Sequence, residues 1–325
     1  MWTREGLVSR WSGCRYKCTD SMKREWNITF LNRKEIQTER WDRLIEESTA
    51  ETIYPYSWYL DAVSENWSAL VADDYRFVLP VVWKKKAGMR YVYQPFYTQQ
   101  LGVFSREYVD PGLIRNMLGI LYKKFRFAGL NFNVKNLVGE EAPFSVEDKS
   151  NYVLPLDRDY ENLHRAFNAH TRRNIVLSME FGQLVRSVPA EELVSFKRAC
   201  DAIKRSDEDY RRAVRLFETI EQHGAGKIYA LRSGREITAA AFFAFSRRRA
   251  IYLLSASSPK GKEQKSMFRV LDAFIRDHAA SGLTLDFEGS NIPSVARFFG
   301  GFGAKADIYQ GISFSRLPAP LSKLK

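Results

Sequence analysis

The residue types best suited to chemistry stand in the last third of the chain. In "LDFEGS", Asp286 and Glu288 are two residues apart, so on an extended strand both carboxylates leave one face while Leu285 and Phe287 leave the other. A carboxylate can take a proton from an incoming amine, directly or through water, when burial raises its pKa toward neutrality. Glu288, beside the turn residue Gly289, is the favoured base and Asp286 the alternative. A surface pair or a helix-capping acid would have the same sequence.

Upstream, "SPKGKEQKS" (258–266) joins the apolar run "AIYLLSAS" to an amphipathic segment that ends near Ala279. The unpaired N–H groups and partial positive charge of a helix start suit a phosphate. Ser258, Lys260, Gly261, Lys262, Lys265 and Ser266 are therefore candidate phosphate contacts, with a solvated lysine loop as the competing reading. "HTRRNI" (170–175) puts Arg172 and Arg173 early in a predicted helix, where a guanidinium could hold an acceptor's carboxylate or phosphate through two hydrogen bonds. A solvated helix face is equally compatible with it. His170 has no Ser, Cys or carboxylate in a nucleophile-activating pattern and reads as a lone polar histidine.

These residues must be positioned by the elements around them. "ERWDRLIEES" and "YPYSWYLDAV" read as helices, followed by the strands "WSALVA", "YRFVLPVVW" and "RYVYQPF", joined at "DD" and "KKKAG" into an antiparallel meander. The second half repeats the order. Two helices come first, "PAEELVSFKRACDAIKR" and "SDEDYRRAVRLFETIEQHG", the latter with a capping box at Ser206 and Asp209 and an exit at Gly224. The strands "KIYALR", "ITAAAFFAF" and "AIYLLSAS" follow. The runs Lys84 to Lys86 and Arg247 to Arg249 fall at equivalent turns and read as solvated hairpin tips. Helices segregated from a meander predict an α+β layer fold. The polar stretch "GEEAPFSVEDKSN" (139–151) reads as a linker, which divides the chain at about residue 150 into domains 22–150 and 151–325. The basic, aromatic and aperiodic residues 1–21 read as a disordered extension.

With 50 Lys and Arg against 38 Asp and Glu, the 325-residue chain carries a formal charge of +12, which favours partners bearing phosphate or carboxylate. No apolar run nears the roughly 18 residues needed to span a bilayer. Cys14, Cys18 and Cys200 make no even disulfide framework, so a reducing cytoplasm is the expected compartment. Cys14 and Cys18 lack a second ligand pair, and no metal site is expected.

The order of elements resembles the GNAT acyltransferase fold, and two such units in one chain resemble its FemABX-like branch. "HTRRNI" is similar to the basic helix opening of that branch's second domain, and "LDFEGSNIPSVARFFGGFGA" to its closing strand, turn and helix. The resemblance implies an α+β chain of two tandem GNAT-like domains, each a mixed, mostly antiparallel sheet flanked by helices. It implies an N-acyltransferase that moves an acyl or aminoacyl group to an amine, with the carbonyl polarised by a free N–H of the "YLLSAS" strand. No permanently bound cofactor is implied. Acyl-CoA is the default donor, and acyl carrier protein or aminoacyl-tRNA suits the positive charge better. The acceptor would be an amine-bearing small molecule or a cell-envelope precursor. Two departures stand out: the closely spaced glycines of the GNAT phosphate loop are reduced to Gly261, and Phe299 stands where the family has its proton-donating Tyr. A catalytically silent GNAT-like fold that binds nucleic acid or a protein partner through its basic surface is the alternative.

Overall fold

A computed structural model describes residues 25–139, 142–289 and 291–317; the extension expected over residues 1–21, with Cys14 and Cys18, lies outside them. The apolar run "ITAAAFFAF" shows how the chain builds its layers. Ala240, Phe242 and Ala244 pack into one core, and Ala239, Ala241 and Phe243 into another on the opposite face. A strand buried on both sides needs no polar alternation. The strand "WSALVA" does the same in the first half, with Ala69 and Val71 on one side and Leu70 and Ala72 on the other.

Twelve strands form one sheet. They are β1 (Ile28–Asn32), β2 (Trp67–Ala72), β3 (Phe77–Lys86), β4 (Met89–Val92), β5 (Phe127–Asn131), β6 (Ser145–Pro155), β7 (Gln183–Val185), β8 (Gly226–Ser233), β9 (Glu236–Phe245), β10 (Arg249–Ser257), β11 (Thr284–Asp286) and β12 (Lys305–Ser315). Their order is β1-β2-β3-β4-β5-β12-β6-β11-β10-β9-β8-β7. Read from its two ends, the sheet is the same arrangement twice. Each half is a meander whose fourth strand lies parallel to the fifth, β4 to β5 and β10 to β11. The sixth places are exchanged, so β12 completes the first half and β6 the second, and the two pair antiparallel at the centre.

Helices cover both faces. On one side α1 (Thr38–Glu47) and α2 (Ser57–Val63) share a core with α6 (Ala190–Cys200) and α7 (Asp207–Gln222) of the second half. The other side carries α3 (Pro111–Lys124) over the first half, and α4 (Tyr160–Ala166), α5 (Ala169–Ser178), α9 (Ser266–Asp277) and α10 (Pro293–Gly301) over the second. The five-residue helix α8 (Pro259–Glu263) leads into α9. No helix of the described residues is long and apolar enough to cross a membrane. The capping box at Ser206 and Asp209 starts α7, and Gly224 leaves it at a φ of +66°.

Three local readings change. The stretch expected as a linker is strand from Ser145 onward. Its polar residues escape detection because they find long-range partners: Asp148 accepts from Gln310 and Lys149 donates to Asn131. Lys84 to Lys86 belong to β3, and the turn itself is Ala87–Gly88, both with positive φ. The arginine run is not a free hairpin tip. The buried carboxylate of Glu51, from the first half, accepts from Ser246 Oγ and from the backbone N–H groups of Arg247 and Arg248 at 3.1–3.2 Å, and so ties the β9–β10 turn to the opposite half.

That clamp predicts a stability effect. Glu51→Ala should cost about 1–3 kcal/mol in chemical denaturation, the scale of hydrogen bonds to a charged group. Glu47→Ala, which removes an exposed ion pair with Arg106, should change stability by less than about 1 kcal/mol.

Candidate functional site

Strands β10 and β11 pair only over Arg249–Ile251 and Thr284–Asp286. Past that point the register of β10 against β9 shifts between Tyr252 and Leu254, and β10 and the chain after β11 separate. The opening is a cleft of about 510 Å³. It sits at the carboxyl ends of two parallel strands, where open sheets take ligands. Residues 252–255 of β10 form one wall, Phe287, Glu288, Gly289 and Phe299 another, and residues 95–99 of the first half close it with Tyr309, Lys197 and Arg205.

Glu288 reaches the cleft through a turn rather than through strand alternation. The strand ends at Asp286, Glu288 has a φ of +58°, and its N–H donates to Asp286 Oδ1 at 2.9 Å. Asp286 Oδ2 accepts from Arg249 at 2.8 Å. Both carboxylate oxygens of Asp286 are thus engaged, while among the described residues Glu288 has no cation as a hydrogen-bond partner. It accepts instead from the hydroxyl of Tyr54 at 2.6 Å. Burial pushes the Glu288 carboxyl up to about 8; the Tyr54 hydrogen bond opposes the shift and the negative Asp286 adds to it. The next residue must be glycine. A Cβ on Gly289 would lie 2.1 Å from the carbonyl oxygen of Ser150.

The lysine-rich junction is more ordered than a phosphate loop read from sequence. Ser258 caps α8 by accepting from Gly261 N–H at 3.1 Å. Gly261 is buried against β9, where a Cβ would meet the carbonyl oxygen of Thr238 at 1.9 Å; its lack of a side chain serves packing. Lys260 turns toward Ser233. Lys262 is exposed and Lys265 half-exposed, and neither is ion-paired with a described residue. Lys265 takes a φ of +57° and opens α9 without a side-chain cap. Two buried polar atoms at this start, Gln264 Oε1 and Ser266 Oγ, have no hydrogen-bond partner. The first turn of α9 also reaches the cleft wall, since Phe268 packs edge-on to Phe298, 4.9 Å away and next to Phe299.

Neither candidate arginine lines the cleft. Arg172 donates to the carbonyls of Arg165 and Phe167 and so closes the end of α4. Arg173 is exposed on α5 beside His170, whose ring meets Phe268. Phe299 stacks on Phe287 at 4.7 Å and meets Tyr252 edge-on at 6.2 Å, and the tyrosines that line the cleft are Tyr97, Tyr252 and Tyr309. Burial, with the charges of Glu288 and Asp286, pushes the Tyr309 phenol up to about 12. Tyr54, Arg249, Tyr309, Lys197 and Arg205 are the site residues that sequence reading missed. Arg249 was visible only as part of a basic run, and Tyr54 as one tyrosine among several in "YPYSWY". Among the described residues no group of three or more His, Cys, Asp or Glu could hold a metal ion.

Comparison with known proteins bears on the fold that carries the cleft. A family model for the acetyltransferase (GNAT) domain matches residues 190–293, from α6 to the start of α10. A search of curated proteins returns no significant match. Among solved structures, FemX superposes with a TM-score of 0.64 at 12% identity, covering 89% of this chain and 98% of its own. A tandem GNAT protein from the clavulanic acid biosynthesis pathway gives 0.52 at 13% identity, covering 91% and 100%. A conserved protein of unknown function from Bacteroides thetaiotaomicron gives 0.53 at 9% identity, covering 86% and 98%. Residues 190–293 match the GNAT acetyltransferase domain, and the chain as a whole has a tandem GNAT-like fold similar to that of FemX.

Proposed function

We propose that this chain is an N-acyltransferase in which Glu288 takes the proton from an amine acceptor and the half from about residue 151 onward holds an activated, phosphate-bearing donor. The observation that carries the reading is one carboxylate. Glu288 lies partly buried at the parting of β10 and β11, inside a cleft large enough for both reacting groups, with its pKa near the operating range of a general base.

The donor side follows from α9. Its uncapped N-terminus, the unpaired Lys262 and Lys265, and the unpartnered Ser266 hydroxyl favour an anion there. A chain running from that anion along β10, past Phe298 and Phe299, would bring its carbonyl to Glu288. Acyl-CoA fits this path, and acyl carrier protein or aminoacyl-tRNA would present the same phosphate-linked arm. The amine loses its proton to Glu288 and its nitrogen forms the new bond to the carbonyl carbon. The tetrahedral intermediate then collapses and breaks the bond to the donor's sulfur or oxygen. Tyr309, neutral at physiological pH, is the hydroxyl we assign to protonate the leaving group in place of the tyrosine that Phe299 replaces. Asp286 serves the turn and Arg249 rather than the acceptor. Arg173, beside His170 and near the start of α9, remains a candidate contact to an acceptor's carboxylate or phosphate. We place the reaction in the cytoplasm, with a small amine or a cell-envelope precursor as acceptor.

Three outcomes test the reading. Lys262→Ala with Lys265→Ala should weaken acyl-CoA binding by about 1–3 kcal/mol in calorimetry while the melting temperature holds; unchanged affinity would make the junction a solvated loop. Glu288→Gln should lower turnover by about 10²- to 10⁴-fold across a panel of amines that the wild type acylates, and leave donor affinity nearly unchanged. Full activity in that variant would remove Glu288 as the base. The raised carboxyl also sets two pH dependences of opposite sign. Because the base must be ionised, wild-type kcat/KM should rise about tenfold per pH unit and level off near 8. Because the folded state holds a proton that the unfolded state releases at 4.5, the stability from this group is present below 4.5 and is lost as pH rises toward 8. Glu288→Gln should lack that loss, so its stability relative to wild type should grow from pH 5 to pH 8.

A further inference from the structure

The first half contributes more than a wall. Tyr54 lies just before α2, is 2% exposed, and spans 234 positions of sequence to donate its hydroxyl to Glu288 Oε1 at 2.6 Å. Its ring is held edge-on by Tyr59, 5.8 Å away, whose own hydroxyl donates to the carbonyl of Tyr97 in the loop that closes the cleft. Tyr97 keeps that loop in place with a φ of +57° and packs against Phe217 of α7. The acceptor of the Tyr54 bond is therefore fixed by the second half, and its donor by a core shared between the halves.

We propose that Tyr54 is a positioning residue for Glu288: the half that lacks a donor site of its own fixes the rotamer of the other half's base and sets the pH range in which that base works. This inference rests on Glu288 being the base. A short hydrogen bond to a carboxylate favours its ionised form, so Tyr54 acts against the burial that keeps Glu288 protonated. The other groups facing Glu288 are Asp286 with its partner Arg249 from β10, Tyr59 of α2, Tyr309 of β12, and Lys197 and Arg205 across the cleft. Among the described residues none of these hydrogen-bonds to its carboxylate, which leaves Tyr54 as the group that both holds it and lowers its pKa. A buried tyrosine with only a packing role needs some acceptor for its hydroxyl. It does not need the one carboxylate at the mouth of the cleft.

Tyr54→Phe keeps the ring and removes the donor. The ascending limb of kcat/KM should move up by roughly one to two pH units, with kcat/KM at pH 7 reduced about 10- to 100-fold and the high-pH plateau largely retained. Tyr56→Phe, which removes a nearby hydroxyl bonded to Glu51 and not to Glu288, should leave the limb where it is. The titration of the Glu288 carboxyl, followed by carbon-13 NMR with Glu288→Gln to assign the signal, should shift upward in Tyr54→Phe without any substrate present. Replacement of Tyr54 by 3-fluorotyrosine, a more acidic donor of nearly the same shape, should move both readouts the other way and covers the case in which the phenylalanine variant folds poorly. An unmoved limb and an unmoved carboxyl titration would reduce Tyr54 to a packing residue, even with activity or melting temperature lowered. If Glu288→Gln stays fully active while the carboxyl titration still responds to Tyr54, the coupling stands and the assignment of the base falls.

Discussion

Strands β10 and β11 stay paired for three residues each and then separate, and the rest of the site depends on that separation. A sheet that parts leaves main-chain groups to be satisfied by something else, and the molecule surrounds this opening with parts from distant segments. The turn after β11 carries Glu288 into it, and the shifted register of β10 supplies the opposing wall. Gly289 permits the turn because its backbone passes against Ser150 with no room for a side chain. Helix α9, reached from β10 through the short α8, starts uncapped at the same end of the sheet. A cleft, a carboxylate and an open helix start therefore coincide without any one of them being built separately.

The first half has the same strand order and makes the opposite use of it. Beyond Val92 and Ala128, the place where β4 and β5 part is filled by its own chain: Gln94 accepts from Asn131 N–H and Leu101 N–H donates to the carbonyl of Asn131. Its helix start is also closed, since the carboxylate of Asp110 caps α3 at 2.7 Å. A carboxylate at that position satisfies the donors and repels a phosphate. The loop that fills this first opening continues through residues 95–99 into the second cleft. One half is thereby spent as support for the other. The shared core of α1, α2, α6 and α7 makes that support rigid, with Trp58 stacked on His223 at 4.1 Å across the halves.

The order of helices and strands was legible in the sequence wherever local pattern decides it. Apolar runs bounded by turn residues marked β2, β3, β9 and β10, and the Ser206–Asp209 box marked α7. Polar β6 was not legible, because its pairing with β12 joins residues far apart and its side chains are satisfied only in that pairing. Glu288 and Asp286 were singled out on strand alternation, whereas they come together beside the turn glycine through a left-handed residue. Gly261 was noticed as a feature of an anion loop, whereas its position against Thr238 makes it a packing residue. Tyr54 had no local signature at all. Its hydroxyl matters because of a residue 234 positions away.

The two carboxylates differ because the site holds one paired cation between them. Arg249 binds Asp286, which is 4% exposed, so this buried carboxylate has a guanidinium and a backbone N–H as its partners. Its negative charge then faces Glu288 and makes a second ionisation unfavourable. Glu288 must rely on a neutral phenol, which stabilises charge less than a cation would. Two acids with similar intrinsic strengths are in this way given different surroundings, one engaged by a guanidinium and a backbone N–H and the other, held by a phenol, pushed up to about 8. The arginine that enforces the division comes from the basic run at the β9–β10 turn, and that turn is held by Glu51 from the first half. The clamp at one end of β10 and the hydroxyl of Tyr54 at the other make the protonation of the cleft a property of both halves together.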